Sequence, residues 1–316
     1  MKPPPASGIS PGRTLAVVSL GTNTTRLLVV RVHPGGHLED LEHGAIGTRL
    51  GQGLRDDGPL HPDGRARTLE AVRSFAARLR AHGARPYAIA TSAMRRASDA
   101  AAFAGEVGAL LGTELTVLDG ATEAACSFRG ATARAEHDGA RRAVLDIGGG
   151  STECAVGRDG VLERGESVEI GSVRITERFP QLAGGAPGPD ARRAGEDARA
   201  FARERLAWLR AFAPVAEVRA VAGTPLTLGA VAFASNVEDV SGRVLTRAAI
   251  DALLLRLLDL DLEERKALPG MLPQRADVLA GGGIILSEAL AALGVGEARL
   301  ESDDLLLGYL LGRVTG

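Results

Sequence analysis

The chain carries one device twice. "AVVSLGTNTTRLLVV" (Ala16–Val30) and "AVLDIGGGSTECAV" (Ala143–Val156) each run from an apolar strand through a small polar turn into a second apolar strand. No other feature restricts the fold as much, because the surroundings repeat as well. Strands are expected at Leu15–Leu20, Leu27–Val32 and Leu38–Ile46. A helix follows over Asp63–His82, with Leu69, Val72, Phe75, Ala76 and Leu79 on one face. A strand at Pro86–Ala90, a helix at Ser92–Leu111 capped by Ser92, a strand at Leu115–Leu118 and a helix at Ala121–Ala135 complete the first round. The cycle then restarts with strands at Ala143–Ile147, Thr152–Val156 and Val161–Val168. After these come a short helix from near Ser172, a long one over about Ala191–Phe212 and a strand at Val218–Val221. Helices continue to about Leu268, where Pro269 stops them. A helix at Arg275–Leu293, a strand at Ala298–Leu300 and a helix at Asp303–Arg313 close the chain. Three strands followed by alternating helix and strand thus occur twice, a duplication of a whole domain rather than a solenoid repeat. Two like α/β domains are expected in the 316 residues, with a cleft between them where a small ligand would sit.

Composition bears on what that ligand is. The formal net charge of −2 argues weakly against broad nucleic-acid binding, which usually shows a basic excess. Aromatic residues are only 3% of the chain, so the core is expected to be built from Leu, Val, Ile and Ala. Cys126 and Cys154 have no paired spacing and read as buried free thiols of a reducing, cytoplasmic compartment. The six histidines are scattered, with no zinc spacing. "MKPPPASGISPGR" reads as a disordered tail rather than a signal peptide. The most apolar run, Val278–Val295, contains Glu288 and three successive glycines and reads as a packed helix, not a membrane span.

A turn rich in Gly, Ser, Thr and Asn presents several backbone N–H groups toward one point, a concavity that attracts phosphate. The two turns are Gly21-Thr22-Asn23-Thr24-Thr25 and Gly148-Gly149-Gly150-Ser151-Thr152. Either alone also suits an ordinary β-hairpin; both at equivalent places suggest a grip on a chain of phosphates. Asp146 ends the strand before the second turn. It could hold Mg²⁺, directly or through water, or hydrogen-bond its own turn. Glu153 shares a face with Ser151 and could join it, or simply face solvent. The first copy has Ser19 where the second has Asp146.

These residues carry a resemblance. "LDIGGGSTE" (Leu145–Glu153) resembles the second phosphate motif of the Ppx/GppA phosphatases, which are exopolyphosphatases and guanosine pentaphosphate phosphohydrolases of the actin and sugar-kinase superfamily. "SLGTNTTRLL" resembles their first phosphate motif. "RLGQGL" (Arg49–Leu54), "ATSAMRRASD" (Ala90–Asp99) and "DGATEAACSFRGA" (Asp119–Ala131) resemble further segments, as do "AVAGTPLTLGAV" (Ala220–Val231) and "ESDDLLLGYL" near the end. The match runs in order over about residues 14–314 and is similar to the short, two-domain form.

The resemblance implies duplicated ribonuclease-H-like (actin-like ATPase) domains with an interdomain cleft. A tail would cover 1–13, domain I 14–128 plus 303–316, and domain II 129–302. It implies that Glu123 is the general base, a position that would otherwise read as a first-turn glutamate favoured by the helix dipole. Asp146 and Glu153 would position Mg²⁺, with K⁺ as a further activator. Thr22, Asn23, Thr24, Arg26, Gly148, Gly149, Gly150 and Ser151 would cradle phosphate. Arg95, otherwise a surface arginine, would hold phosphate through its planar fork, and Gly223 and Thr224 would approach the rest of the substrate. The implied activity is release of terminal phosphate from polyphosphate; guanosine pentaphosphate or tetraphosphate is the alternative ligand. A homodimer is implied, with no nucleic acid and no membrane.

Ser19 departs from the family, whose first motif normally carries Asp there. Asp99, where Asn is frequent, and Leu307, where some members have Arg, are milder departures. Three readings stay open: catalysis carried by Asp146, Glu153 and Glu123; a weakened enzyme or non-catalytic phosphate or alarmone binder; or an introduced inactivating change. A kinase of the same superfamily would need an aspartate base and a fuller adenosine pocket, which fits "DGATE" less well.

Overall fold

Each half of the chain builds one mixed sheet, and the two sheets repeat one strand order. A computed structural model describes residues 12–315. Of the expected tail at 1–13, residues 1–11 lie outside the described residues. Gly12 and Arg13 pair with Val32: the Gly12 N–H donates to Val32 O at 2.8 Å, and the Val32 N–H to Arg13 O at 2.9 Å.

The first sheet contains β1 (Thr14–Leu20), β2 (Thr24–Val32), β3 (Leu38–Gly47), β4 (Arg85–Ala90) and β5 (Leu115–Val117) in the order β3-β2-β1-β4-β5. β1 to β3 form an antiparallel meander, while β4 and β5 run parallel to β1. The second sheet contains β6 (Arg141–Ile147), β7 (Thr152–Arg158), β8 (Val161–Val168), β9 (Glu217–Val221), β10 (Val244–Thr246) and β11 (Glu297–Leu300) in the order β10-β11-β9-β6-β7-β8. Its meander is β6-β7-β8, with β9 and β11 parallel to β6. Without β10 the two orders match strand for strand. A register shift also falls at the same place in each, between Val29 and Val30 and between Val156 and Gly157.

β1 and β6 are buried after their first residue. Sheet strands covered on both faces read as apolar runs without alternation, and Ser19 and Asp146 are the polar interruptions near their ends. One face of the first sheet (Ala16, Val18, Leu20, Leu27, Val29) packs on Val72, Phe75 and Leu79 of α1 (Pro62–Ala81) and on Phe103 and Val107 of α3 (Ala100–Leu111). The other face (Leu15, Val17, Leu28, Val30) packs on Leu305, Leu306 and Leu310 of α11 (Leu305–Thr315) and on Cys126 of α4 (Gly120–Thr132). Each buried Val, Leu or Phe among these contributes about 1.5–3 kcal/mol by leaving water. The second core gathers Ala143, Leu145, Ile147, Cys154 and Val156 with residues of α6 (Pro189–Arg205), α7 (Gly223–Phe233), α8 (Arg247–Leu258) and α10 (Leu279–Leu293). The chain divides into two compact units, one running to Gly130 and resuming at Leu305, the other Ala131–Asp304.

Three expectations are corrected. The helix expected at Ser92–Leu111 is two, α2 (Ser92–Arg96) and α3, and Thr91 rather than Ser92 stands at the N-cap. Asp99 sits at the break because its carboxylate accepts the Leu60 N–H at 3.0 Å and pairs with Arg65. The long helix ends at Arg205 and tightens into a 3₁₀ segment, Ala207–Phe212. In the stretch expected to be helical to Leu268, β10 pairs with β11 ahead of α8 and α9 (Leu262–Lys266). The apolar run at 278–295 is α10, nearly all of it buried. Among the described residues no helix is long and apolar enough to cross a membrane.

Candidate active site

The two hairpins are built by the same bonds. In the first, the Gly21 N–H donates to Thr24 O at 3.1 Å; in the second, the Gly148 N–H donates to Ser151 O at 3.1 Å. The carbonyls of each turn then anchor the segment after the third strand. Asn23 O accepts from the N–H groups of Thr48 (3.1 Å) and Arg49 (2.9 Å), and Thr22 O from that of Gly51 (2.9 Å). Gly148 O accepts from Ser172 N–H and Gly149 O from Val173 N–H, both at 2.9 Å. Ser172 opens α5 (Ser172–Arg178). A Cβ at Gly51 would lie 2.3 Å from Thr22 Cγ2, and one at Gly171 would lie 2.4 Å from the Gly149 carbonyl, so both approaches require glycine. A threonine completes each joint: Thr25 and Thr48 share a hydroxyl hydrogen bond of 2.9 Å, and Thr152 Oγ1 donates to Ile170 O at 2.6 Å.

Within this shared frame the side chains differ. Ser19 is in register with Arg26 across β1 and β2, and Asp146 with Glu153 across β6 and β7. Thr22, Asn23, Ser19, Asp146, Ser151 and Glu153 are all buried, while Thr24 and Arg26 are half-buried. Neither Nδ2 nor Oδ1 of the Asn23 amide has a hydrogen-bond partner among the described residues. Buried amides are normally satisfied, so an unmet Asn23 beside a turn of N–H donors fits a site that takes a polar ligand.

The other expected residues collect at the carboxyl ends of the parallel strands, where α/β sheets receive ligands. In the first unit β4 leads into α2 with Arg95, and β5 leads through Leu118 and Asp119 into α4 with Glu123. Arg95 Nη1 donates to Glu123 Oε2 at 2.6 Å and to Leu118 O at 3.0 Å. The Glu123 side chain is only 7% exposed. The first turn of α4 is fixed by Asp119, whose Oδ1 accepts the Thr122 N–H at 2.7 Å and whose carbonyl accepts the Glu123 N–H at 2.9 Å. Hydrogen bonds from Thr122, its backbone N–H first, hold the Asp119 carboxyl below the ordinary carboxylate value.

In the second unit β9, paired with β6 so that Val221 faces Asp146, leads through Ala222 into α7. Ala222 occupies the left-handed region at φ 74°. Gly223 and Thr224 open α7. The guanidinium of Arg275 lies on Gly223, where a Cβ would stand 2.0 Å from its Nη2. Thr224 fills the space left by Gly282 of α10, whose Cβ would lie 2.3 Å from Thr224 Cγ2.

Three features escaped the sequence reading. Arg95 grips Glu123, Arg275 packs on Gly223, and Ser167 Oγ donates to Glu153 Oε1 at 2.7 Å. Each joins residues far apart in the chain, and only the "ATSAMRRASD" segment marked one of these arginines, Arg95, beforehand. Burial raises the thiol pKa of both Cys126 and Cys154. That suits packed, unreactive cysteines.

Comparison with known proteins gives this arrangement a context. The Ppx/GppA phosphatase family model matches residues 28–302. Exopolyphosphatase 2 of Mycobacterium tuberculosis is 35% identical over 316 residues, covering 94% of this chain and 97% of that protein. A solved exopolyphosphatase-like protein is 28% identical with a TM-score of 0.84, covering 94% of this chain and 98% of the other. An exopolyphosphatase from Cytophaga hutchinsonii shares the fold at a TM-score of 0.84 and 24% identity, covering 96% of this chain and 100% of the other.

Proposed function

The chain belongs to the Ppx/GppA phosphatase family, and from that premise we propose that it hydrolyses the terminal phosphoanhydride bond of inorganic polyphosphate. The observation that carries this reading is the Asp146–Glu153 pair, two buried carboxylates in register at the foot of a glycine-rich turn. Carboxylates opposite each other on neighbouring strands can share one divalent cation. Their oxygens suit Mg²⁺, which takes one or two protein carboxylates and fills its shell with water and substrate phosphate. Among the described residues no group of three or more His, Cys, Asp or Glu side chains comes together, so water and substrate phosphate would have to fill most of the ion's shell. When bound, Mg²⁺ would supply charge neutralisation to the phosphate oxygens.

The remaining roles belong to the protein. Backbone N–H groups of Gly149 and Gly150, with the Ser151 hydroxyl, bind phosphate oxygens of the substrate, while the Gly148 N–H closes the turn on Ser151 O. Thr22, Asn23, Thr24 and Arg26 do the same from the first turn. Glu123, oriented by Arg95, accepts a proton from water as its oxygen attacks the terminal phosphorus. The bridging P–O bond breaks, its electrons leave with the shortened chain, and orthophosphate is released. Because charge spreads over the transferred group, positioned cations and N–H donors supply most of the acceleration.

Phosphate release from polyphosphate and from guanosine pentaphosphate, at equal phosphoanhydride concentration, tests this reading. The unaltered protein is expected to prefer polyphosphate, and Glu123→Gln to lower kcat by about 10²–10⁴-fold while still binding the chain. Preference for the nucleotide would replace the substrate. Binding without turnover by the unaltered protein would replace the enzyme with a polyanion sensor.

A further inference from the structure

The hydroxyl of Ser167 stands third in a row of side chains that begins at Asp146. Asp146 on β6 is in register with Glu153 on β7, and Glu153 with Ser167 on β8. Ser167 Oγ donates to Glu153 Oε1 at 2.7 Å, a charge-assisted bond if the carboxylate is ionised. Glu153 is 1% exposed, so bulk water offers that oxygen little alternative.

The register that makes this bond is not the one the hairpin starts with. Next to the turn, Arg158 pairs with Val161 and Gly157 with Leu162. Continued unchanged, that register would set Glu153 opposite Glu166, two carboxylates face to face. The irregularity between Val156 and Gly157 moves the pairing by one residue and brings Ser167 there instead. Bulges commonly re-aim a side chain beside an active site.

The first unit supplies an internal control. It has the same shift, and its equivalent row reads Ser19, Arg26, Ala45. The hydroxyl is present in the copy whose central residue is a carboxylate, and a methyl group stands in the copy whose central residue is a guanidinium. A hydroxyl donor opposite a carboxylate adds a hydrogen bond; opposite an arginine, which offers only donors, it is not needed for that purpose.

We propose that Ser167 is a positioning residue: its hydroxyl fixes the Glu153 carboxylate in the orientation that presents it to Mg²⁺. This rests on the reading of Asp146 and Glu153 given above. Groups that hold a metal ligand in place are worth about 10–100-fold in metal affinity.

The test uses the full chain and calorimetric titration with Mg²⁺ in the presence of inorganic phosphate, alongside the Mg²⁺ concentration that half-saturates phosphate release. Ser167→Ala is expected to weaken Mg²⁺ binding about 10–100-fold and to shift half-saturation equally, with kcat at saturating Mg²⁺ largely kept. Ser167→Thr should restore affinity, and Ser167→Val, which matches Thr in shape without the hydroxyl, should not. Thr and Val are both β-branched strand formers of like shape, so their difference reports chiefly the hydroxyl even if alanine unsettles the edge. Equal Mg²⁺ affinity in the Thr and Val variants, with Glu153→Gln abolishing binding, overturns the role of Ser167 alone. No Mg²⁺ binding by the unaltered protein, or undiminished binding by Glu153→Gln, overturns the underlying reading of Glu153 instead.

Discussion

The two hairpins share a backbone and differ in charge. Strand order, turn-closing bond, register shift, docking glycine and threonine joint recur in both. The cross-strand row differs completely: Ser19, Arg26 and Ala45 in one, Asp146, Glu153 and Ser167 in the other. The scaffold depends on what glycine and threonine allow the main chain to do. The row points off that scaffold and can change without disturbing it. One unit therefore offers a guanidinium, suited to phosphate, and the other a carboxylate pair, suited to a divalent cation.

Exchanging the row residues is the strongest way to break this contrast. Asp146→Ser, which gives the second hairpin the first one's residue, is expected to lower Mg²⁺-dependent phosphate release by at least about 100-fold, since even the supports of metal ligands cost 10–100-fold. If Asp146→Ser keeps its rate across a Mg²⁺ titration, the division of labour between the hairpins is wrong.

A smaller effect concerns the shared scaffold. Gly171→Ala would place a methyl against the main chain of Gly149 and Gly150, whereas Gly51→Ala would meet chiefly the side chain of Thr22. Main chain held in a turn cannot step aside, so urea unfolding should show Gly171→Ala costing about 1–3 kcal/mol, the range for overpacking, and Gly51→Ala less. Equal losses would mean the two docking joints are equally rigid.

The smallest effect lies at the start of the second hairpin. Arg142 stands where the first unit has Leu15, and it donates two 2.8 Å hydrogen bonds to Asp138. Those bonds from Arg142, with the Ala140 N–H, pull the Asp138 carboxyl down to about 2. A carboxyl depressed on folding adds stability above its unfolded value, near 3.9, and loses it as pH falls toward the folded value. Asp138→Asn should therefore lower Tm modestly at pH 7 and leave it unchanged near pH 2. A pH-independent shift would assign its effect to packing.

The meanders were legible because their apolar runs are long and bounded by glycine-rich turns. Glu123 was legible as a first-turn glutamate, and the structure adds that Arg95 holds it. The misreadings have local causes. The break before α3 comes from Leu60 and Arg65 reaching Asp99 across the fold. β10 is three residues long and owes its conformation to its partner β11. Ser167 stood in a correctly bounded strand, but its partner depended on a one-residue register shift that no local pattern announces.

The amino-acid order alone determined the duplication, the α/β class, and which residue types stand at the turns, because periodicity and turn chemistry act over a few residues. The folded structure decided which side chains meet: Arg95 with Glu123, Arg275 with Gly223, Ser167 with Glu153. Those pairings span 14 to 52 positions along the chain. They follow from strand register and from which strand ends are neighbours, quantities set by the packing of the whole sheet and not by any short segment.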